Sequence, residues 1–280
     1  MNDTESLPLA WEPVTPRGVA AFAYAGLRRL LLVQLLVALL AGAVVVMFLY
    51  RDWVPVIRAA ILAMPTEGEM SGEQLFWTGP SAVQLAANPF LGITVDLNHS
   101  NVMGRSSHLQ VEFGRKDYRL ISLVGYTPID YPPGWRMPFN RTELIPWWGA
   151  WQPLLLFAAG FGTVISLLLV WTLLATLYML PMRLLTFLQS RDLNWGQSWK
   201  LSGAALMPGA LFFTFSIFAY SVGMVDLIRL GGLAVLHVLV GWIYLLVSPP
   251  FLRRNHPREL ITRNPFEGPG MPGGNPPAES

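Results

Sequence analysis

The chain has 280 residues, of which 53% are hydrophobic and 13% charged, with a formal net charge of +2 and no cysteine. Soluble globular proteins carry about 25% charged residues, so this composition and a mean hydropathy of +0.44 indicate a membrane protein. The small net charge, without basic patches between aromatics, argues against a nucleic-acid partner, and the lack of cysteine excludes disulfides, thiolate metal sites and cysteine nucleophiles.

Four apolar stretches are each long enough to cross a bilayer, which takes about 20 helical residues. The first, Leu30–Tyr50, has no charged residue and is too long for the apolar region of a cleaved signal peptide, so it is expected to remain as a signal anchor. The predicted fold class is membrane α-helical, with four transmembrane helices and a small α+β extracytoplasmic domain inserted between helices 1 and 2. The predicted order is a cytoplasmic N-terminus (1–29), transmembrane helix 1 (30–50), the extracytoplasmic domain (51–150), helix 2 (151–180), a cytoplasmic amphipathic connection (181–200), helix 3 (201–222), helix 4 (227–248) and a cytoplasmic tail, first basic and then disordered and rich in Pro and Gly (249–280).

The positions of lysine and arginine predict the orientation of the chain. Basic residues in short loops stay on the cytoplasmic side, whereas loops as long as 51–150 cross largely regardless of charge. Both termini are therefore expected on the cytoplasmic side. The residues that carry this prediction are Arg17, Arg28, Arg29, Arg183, Arg191, Lys200, Arg253, Arg254, Arg258 and Arg263. The cysteine-free outer segment and the compact four-span plan favour a bacterial cytoplasmic (inner) membrane.

Within 51–150, apolar residues at helical spacing predict a short amphipathic helix over Trp53–Met64, lying near the membrane and ended by Pro65. Alternating apolar residues then predict four short strands, with a hairpin loop at residues 114–117. The strands are Gln74–Trp77, Gly92–Leu97, His108–Phe113 and Tyr118–Val124. A sheet packed on the helix is expected, and Thr127–Pro146, rich in proline and aromatics, is expected to run as an extended strap.

The same segment holds one dense polar cluster, made of Asp96, Asn98, His99, His108, Glu112 and Asp117. Its first residues distantly resemble a calcium loop, but the required glycine and the distal glutamate are not at the right offsets. The two histidines lack the spacing of a helical zinc pair. We interpret the cluster as surface-loop residues without a metal or cofactor, with a catalytic outer Asp/His site as the alternative.

Aromatic residues cluster at the ends of predicted spans: Trp147, Trp148, Trp151, Trp195 and Trp199. Indole rings favour the headgroup region because they combine an apolar body with an N–H donor. Anchoring at the interface is the leading interpretation, and a platform for stacking a sugar or other ligand is the alternative.

Few ionisable residues lie in or beside the apolar stretches. His237 is near the middle of helix 4, where it predicts either a hydrogen bond to a Ser or Thr of a neighbouring helix or a place on a proton or ligand path. Asp226 and Arg229, three residues apart, are expected to pair at the start of that helix. Pro208 is expected to kink helix 3. The candidate partners of His237 are Thr163, Ser166, Thr172, Thr214 and Ser216.

Two short segments resemble those of uncharacterised bacterial membrane proteins related to the Yip-like superfamily. One is Gln197–Ala205 with Pro208 following, an aromatic–basic step, small residues and then a proline. The other is Ala60–Pro65 before Gly68–Glu73, which is similar to the helix-to-strand entry of their outer domains. The resemblance implies a membrane-organising or partner-binding role and supports a bacterial source.

Signatures of hydrolases and phosphate-binding loops are absent from the sequence. The leading hypothesis is therefore a non-enzymatic integral membrane protein that binds a partner protein or envelope component through its extracytoplasmic domain. The first alternative is a transporter or accessory permease subunit that uses His237 and the bundle of helices 2–4. The second is a membrane enzyme with the outer Asp/His site. Lipid is an expected partner, and a homo-oligomer is left open.

Overall fold

A computed structural model describes residues 11–100, 104–191 and 193–253. The predicted tail from residue 254 on lies outside the described residues, as do Arg254, Arg258 and Arg263. Within the described ranges the helices are α1 (Pro16–Ala21), α2 (Leu27–Phe48), α3 (Val54–Ala63), α4 (Arg141–Leu188), α5 (Trp195–Ala205), α6 (Met207–Ser221) and α7 (Leu227–Val247). A π-helical turn, Leu49–Trp53, joins α2 to α3, and a 3-10 turn, Pro249–Phe251, follows α7.

Four helical stretches in the described residues are long and apolar enough to cross a membrane, in agreement with the predicted number of spans. They are Leu27–Ala63, Arg141–Leu188, Trp195–Ser221 and Leu227–Phe251. At 1.5 Å per residue, α4, with its 48 residues, is about 72 Å long, more than twice the hydrocarbon thickness. It therefore extends beyond the predicted helix 2 at both ends, and its last turns occupy the start of the expected connection.

The break between α5 and α6 confirms the predicted kink. The two helices are separated at Leu206, and Pro208 lies in the first turn of α6, where its missing N–H leaves no intrahelical bond unmade. Asn194 and Gln197 form a reciprocal capping box at the start of α5, which satisfies two of the free N–H groups there.

The strands between α3 and α4 form two sheets. The strands are β1 (Gly68–Ser71), β2 (Gln74–Trp77), β3 (Ala82–Ala87), β4 (Leu91–Asp96), β5 (Leu109–Phe113), β6 (Asp117–Ser122), β7 (Gly125–Asp130) and β8 (Arg136–Pro138). A three-stranded sheet has the order β2-β1-β8, and a five-stranded sheet has the order β3-β4-β5-β6-β7. Only β4 and β5 pair in parallel among these neighbours.

The amphipathic helix and the four predicted strands are confirmed within a few residues at each end. The extended strap over Thr127–Pro146 is wrong. That segment contains the end of β7, all of β8 and the start of α4, because it finds hydrogen-bonding partners on β6 and β1. Asn140 then accepts a hydrogen bond from the Glu143 N–H and begins α4.

Buried apolar residues form two cores. One lies among the long helices and contains Leu30, Trp171 and Leu201. The other contains Val56 and Ala60 of α3 packed with residues such as Val95 of the fully buried strand β4. Helix α3 and strands β1–β6 and β8 thus share a core, as the sequence predicts, while β7 is an exposed edge strand. We call α3 and β1–β8 the sheet domain.

Candidate functional site

His99 is clasped between two carboxylates of the sheet domain. Its Nδ1 lies 2.6 Å from Glu112 Oε1 and its Nε2 lies 2.7 Å from Asp117 Oδ1. Glu112 is on β5 and only 3% exposed, while Asp117 begins β6 across the hairpin. Each ring nitrogen therefore faces a carboxylate oxygen within hydrogen-bonding distance. These two contacts occupy both nitrogens, so neither is open toward a substrate.

The loop before His99 is held by Asp96. Asp96 is buried, its Oδ1 accepts the Asn98 N–H at 3.3 Å, and its Oδ2 accepts the Ser100 hydroxyl at 2.8 Å. His99 itself has a positive φ of 49°, an uncommon backbone conformation outside glycine. These contacts fix the histidine in the position that reaches both carboxylates.

The ring of His99 also occupies the space beside Gly114, where a Cβ would collide with Nε2. The Gly114 carbonyl accepts a hydrogen bond of 2.9 Å from the Tyr131 hydroxyl. Burial, with a smaller contribution from the charge of Asp117, raises the pKa of Tyr131, so its hydroxyl remains a donor at physiological pH. We define Asp96, His99, Glu112, Asp117 and Tyr131 as the histidine clasp.

His108 is not part of this cluster, and its predicted grouping with Asp96 and His99 is wrong. It precedes β5, and its Nδ1 lies 2.8 Å from the hydroxyl of Tyr220 on α6. The two rings stack with centroids 5.7 Å apart, and Phe90 packs edge-on against both. His108 therefore ties the sheet domain to the end of a long helix.

Asp52, which the sequence reasoning did not single out, lies in the π-helical turn between α2 and α3. Its side chain is buried, with 8% exposure of the residue, and Oδ2 has no hydrogen-bond partner among the described residues. Its backbone carbonyl accepts a 2.6 Å hydrogen bond from the Asn88 side chain. The only sequence signal is an acidic residue two positions after the apolar run that ends at Tyr50, and π-helical turns frequently occur at functional sites.

An apolar cavity of about 390 Å³ lies where α3, the sheets and the first turns of α4 meet. We call it the basal cavity. Glu143 and Trp147 are exposed at its edge, and Trp148 also lines it. The indole Nε1 of Trp148 is sealed from solvent and has no acceptor among the described residues. The cavity lining is otherwise apolar: Ile57, Ala60, Ile61, Met64, Ile93, Phe113, Met137, Pro138, Phe139 and Leu144.

A second cavity, of about 220 Å³, lies among the long helices and is lined in part by His237, Phe213, Thr163 and Thr214. The ring of His237 stacks on Phe213 with centroids 4.8 Å apart, and Nδ1 donates to the Ala234 carbonyl of its own helix. The predicted hydrogen bond to a neighbouring helix is wrong. The hydroxyls of Thr163, Thr172, Thr214 and Ser216 donate instead to the carbonyls four residues earlier in their own helices.

Asp226 and Arg229 pair as predicted. Asp226 Oδ1 accepts the Arg229 backbone N–H at 2.8 Å, and Oδ2 lies 3.3 Å from Arg229 Nε. Asp226 therefore caps the start of α7. Because both side chains are more than half exposed, the ion pair itself contributes little to stability.

The predicted interface aromatics have different surroundings. Trp147 and Trp151 are exposed and stack on each other, while Trp148 lines the basal cavity. Trp195 stacks under the Arg183 guanidinium, and Trp199 donates to the Thr176 hydroxyl at 3.1 Å. Only Trp148 therefore combines a cavity with an unmatched donor.

Within residues 11–100, 104–191 and 193–253, no group of three His, Cys, Asp or Glu side chains is arranged to hold a metal ion. Comparison with protein-family models, curated proteins and solved structures finds no match. The Yip-like resemblance and the role it implies therefore stay predictions.

Proposed function

We propose that this is a non-enzymatic membrane protein whose sheet domain binds a partner protein or envelope component, with the long helices as its anchor. We place it in a bacterial cytoplasmic membrane with both termini inside and the sheet domain outside. The observation that carries the proposal is the basal cavity. Its volume of about 390 Å³ falls within the range of about 300–1,000 Å³ that is usual for ligand pockets, and its lining is mainly apolar, as such pockets are.

The contact between His108 and Tyr220 supports a connection between binding and the helices. It joins residues 112 positions apart in the chain and is reinforced by Phe90 and Phe48. A change in the position of β5 caused by a bound molecule would be felt at α6 through this contact. The histidine clasp supports a non-enzymatic role, because both nitrogens of its imidazole are engaged by buried or half-buried carboxylates.

The proposal predicts that a photoreactive amino acid at Met137, which lines the basal cavity, captures a defined component in the host membrane. The same amino acid at Phe157, an exposed position of α4, is the matched control because it samples the surrounding lipid only. Purification of the full chain and mass spectrometry should reveal one component that is reproducibly attached at 137 and not at 157. Recovery of the chain alone, or of the same adducts at both positions, would contradict the proposal.

A transporter or accessory permease subunit is the second candidate, and the cavity beside His237 favours it. Our proposal predicts that His237→Leu leaves capture at Met137 unchanged. Since the one hydrogen bond of His237 within the described ranges is to Ala234 of its own helix, stability should fall by at most about 1–2 kcal/mol. Capture yield and an SDS unfolding titration measure the two effects. If the His237→Leu protein is stable and still captures the component at Met137 but no longer supports the function of the wild-type protein in its host cell, the result would instead support transport.

A further inference from the structure

The basal cavity adjoins a cleft that contains an arginine. The cavity shares Ile61 and Trp148 with a neighbouring depression of about 310 Å³, which Arg58 and Gln152 also line. That depression in turn shares Arg58 and Gln152 with a third one that includes Arg51. An apolar pocket and a cationic cleft thus meet at Trp148, between α3 and α4.

Trp148 forms a wall shared by the apolar pocket and the cationic cleft. Its Nε1 is sealed from solvent and has no acceptor among the described residues, so the indole meets a ligand through its apolar ring. A ligand with an apolar tail would fill the cavity and contact this ring. The tail would face a lining in which Glu143 is the only charged residue.

Arg58 gives the cleft its charge preference. Arg58 and Arg51 are exposed, and neither has a carboxylate oxygen within 4.0 Å in the described part of the chain. A guanidinium without a partner favours a phosphate, because its N–H groups match the phosphate oxygens in pairs. Arg51 directly follows the apolar run that ends at Tyr50, so its end of the cleft lies at the level where lipid headgroups are expected.

We propose that the basal cavity and the arginine cleft bind an anionic glycerophospholipid from the adjacent leaflet. One acyl chain lies in the cavity against the ring of Trp148, and the phosphate lies at Arg58 with Arg51 nearby. This inference rests on the proposed function and names its envelope component. Each buried methylene of the chain contributes about 0.8 kcal/mol, while the arginines select the anionic headgroup.

The test uses the full chain in phosphatidylcholine vesicles that contain a small fraction of phosphatidylglycerol with a photoactivatable diazirine in one acyl chain. Peptide mapping after irradiation should place adducts on cavity residues of α3, β8 and the first turns of α4. Arg58→Gln should lower the cavity adducts about fivefold, in line with the attraction of one basic residue near an anionic surface. Arg229→Gln, which removes an exposed arginine at the start of α7, is the matched control and should leave them unchanged.

Met137→Trp provides a second variant, since it narrows the cavity from a half-buried position without changing any charge. It should reduce the cavity adducts of the phosphatidylglycerol probe while leaving those on the exposed faces of α4 intact. Equal labelling of the cavity by a phosphatidylcholine probe would overturn the anionic assignment. Labelling confined to exposed residues such as Leu173 would overturn the lipid site altogether. If Met137 nevertheless captures a protein in the host membrane, the proposed function stands and only this inference fails.

Discussion

Replacing His99 with alanine is expected to destabilise the sheet domain by about 3–5 kcal/mol, which is typical of breaking a buried ion pair from one side. The loss arises because Glu112, only 3% exposed, keeps its carboxylate but loses the imidazole that lies 2.6 Å away. Asp117, at 2.7 Å, loses the same partner. Pulse proteolysis of the full chain in detergent over a urea series measures the unfolding free energy of the sheet domain.

The double variant His99→Ala with Glu112→Gln separates the cost of a buried charge from the loss of packing. It should recover part of the lost stability, since a neutral amide is less costly to bury without its partner. Arg229→Ala, which breaks the exposed pair with Asp226, serves as the control and should change the unfolding free energy by less than about 1 kcal/mol. A His99→Ala loss no larger than that of this control would show that the histidine clasp is a surface feature.

The sequence predicts those helices and strands whose own residues show a clear helical or alternating pattern. Helix α3 has apolar residues at helical spacing and ends before Pro65, so local signals specify both its type and its end. The strands β2, β4, β5 and β6 have apolar runs bounded by turn residues. Strand β8 lacks such a run and is formed by pairing with β1, with Met137 opposite Met70. A pairing partner so distant in sequence leaves no local pattern. Strand β1 also lacks an apolar run, and it is held between β8 and the adjacent strand β2.

In the candidate site, too, some features have a local sequence pattern and others depend on distant parts of the chain. The cluster around His99 was visible as a concentration of polar residues, but its burial was not, because Gln110 and Glu112 alternate like the solvent face of a strand. Both are in fact buried, at 1% and 3% exposure. Their partners come from other segments, and a strand pattern indicates which residues share a face without indicating which face is covered.

The basal cavity and the His108 contact were missed for a related reason. Trp148 looks like its neighbours Trp147 and Trp151, which are simply exposed, and only the arrangement of α3, α4 and the sheets places it beside a cavity. Similarly, nothing near His108 in sequence predicts Tyr220, which lies 112 residues away. Such features depend on how elements pack together, and this packing is encoded over the whole chain.

Small residues in the long helices give a further case in which spacing alone misplaces a contact. The sequence predicts close helix approach at Ala38 with Gly42, at Ala158 with Gly162 and at Gly231 with Gly232, since small residues allow backbones to approach each other. The first prediction is confirmed, because a Cβ added at Gly42 would lie 3.1 Å from the carbonyl oxygen of Gly160 on α4. A Cβ added at Gly162, Gly231 or Gly232 would meet nothing within 4 Å. At Gly209 the situation is reversed, because a Cβ there would lie 2.5 Å from the carbonyl oxygen of His237 on α7.

Gly209→Ala is therefore expected to destabilise the packing of α6 on α7 by about 1–3 kcal/mol, the usual cost of inserting a methyl group into a tight contact. The obstructing atom belongs to the backbone of α7 and cannot rotate away, so the helices must separate. Gly232→Ala is the matched control, because the same change at an open helical position should be neutral or stabilise by up to about 1 kcal/mol through helix propensity. An SDS titration of both variants measures the difference. A loss of stability in Gly209→Ala without a loss in Gly232→Ala would place the α6–α7 contact at Gly209. Equal changes in stability would mean that the two helices do not pack at the carbonyl of His237.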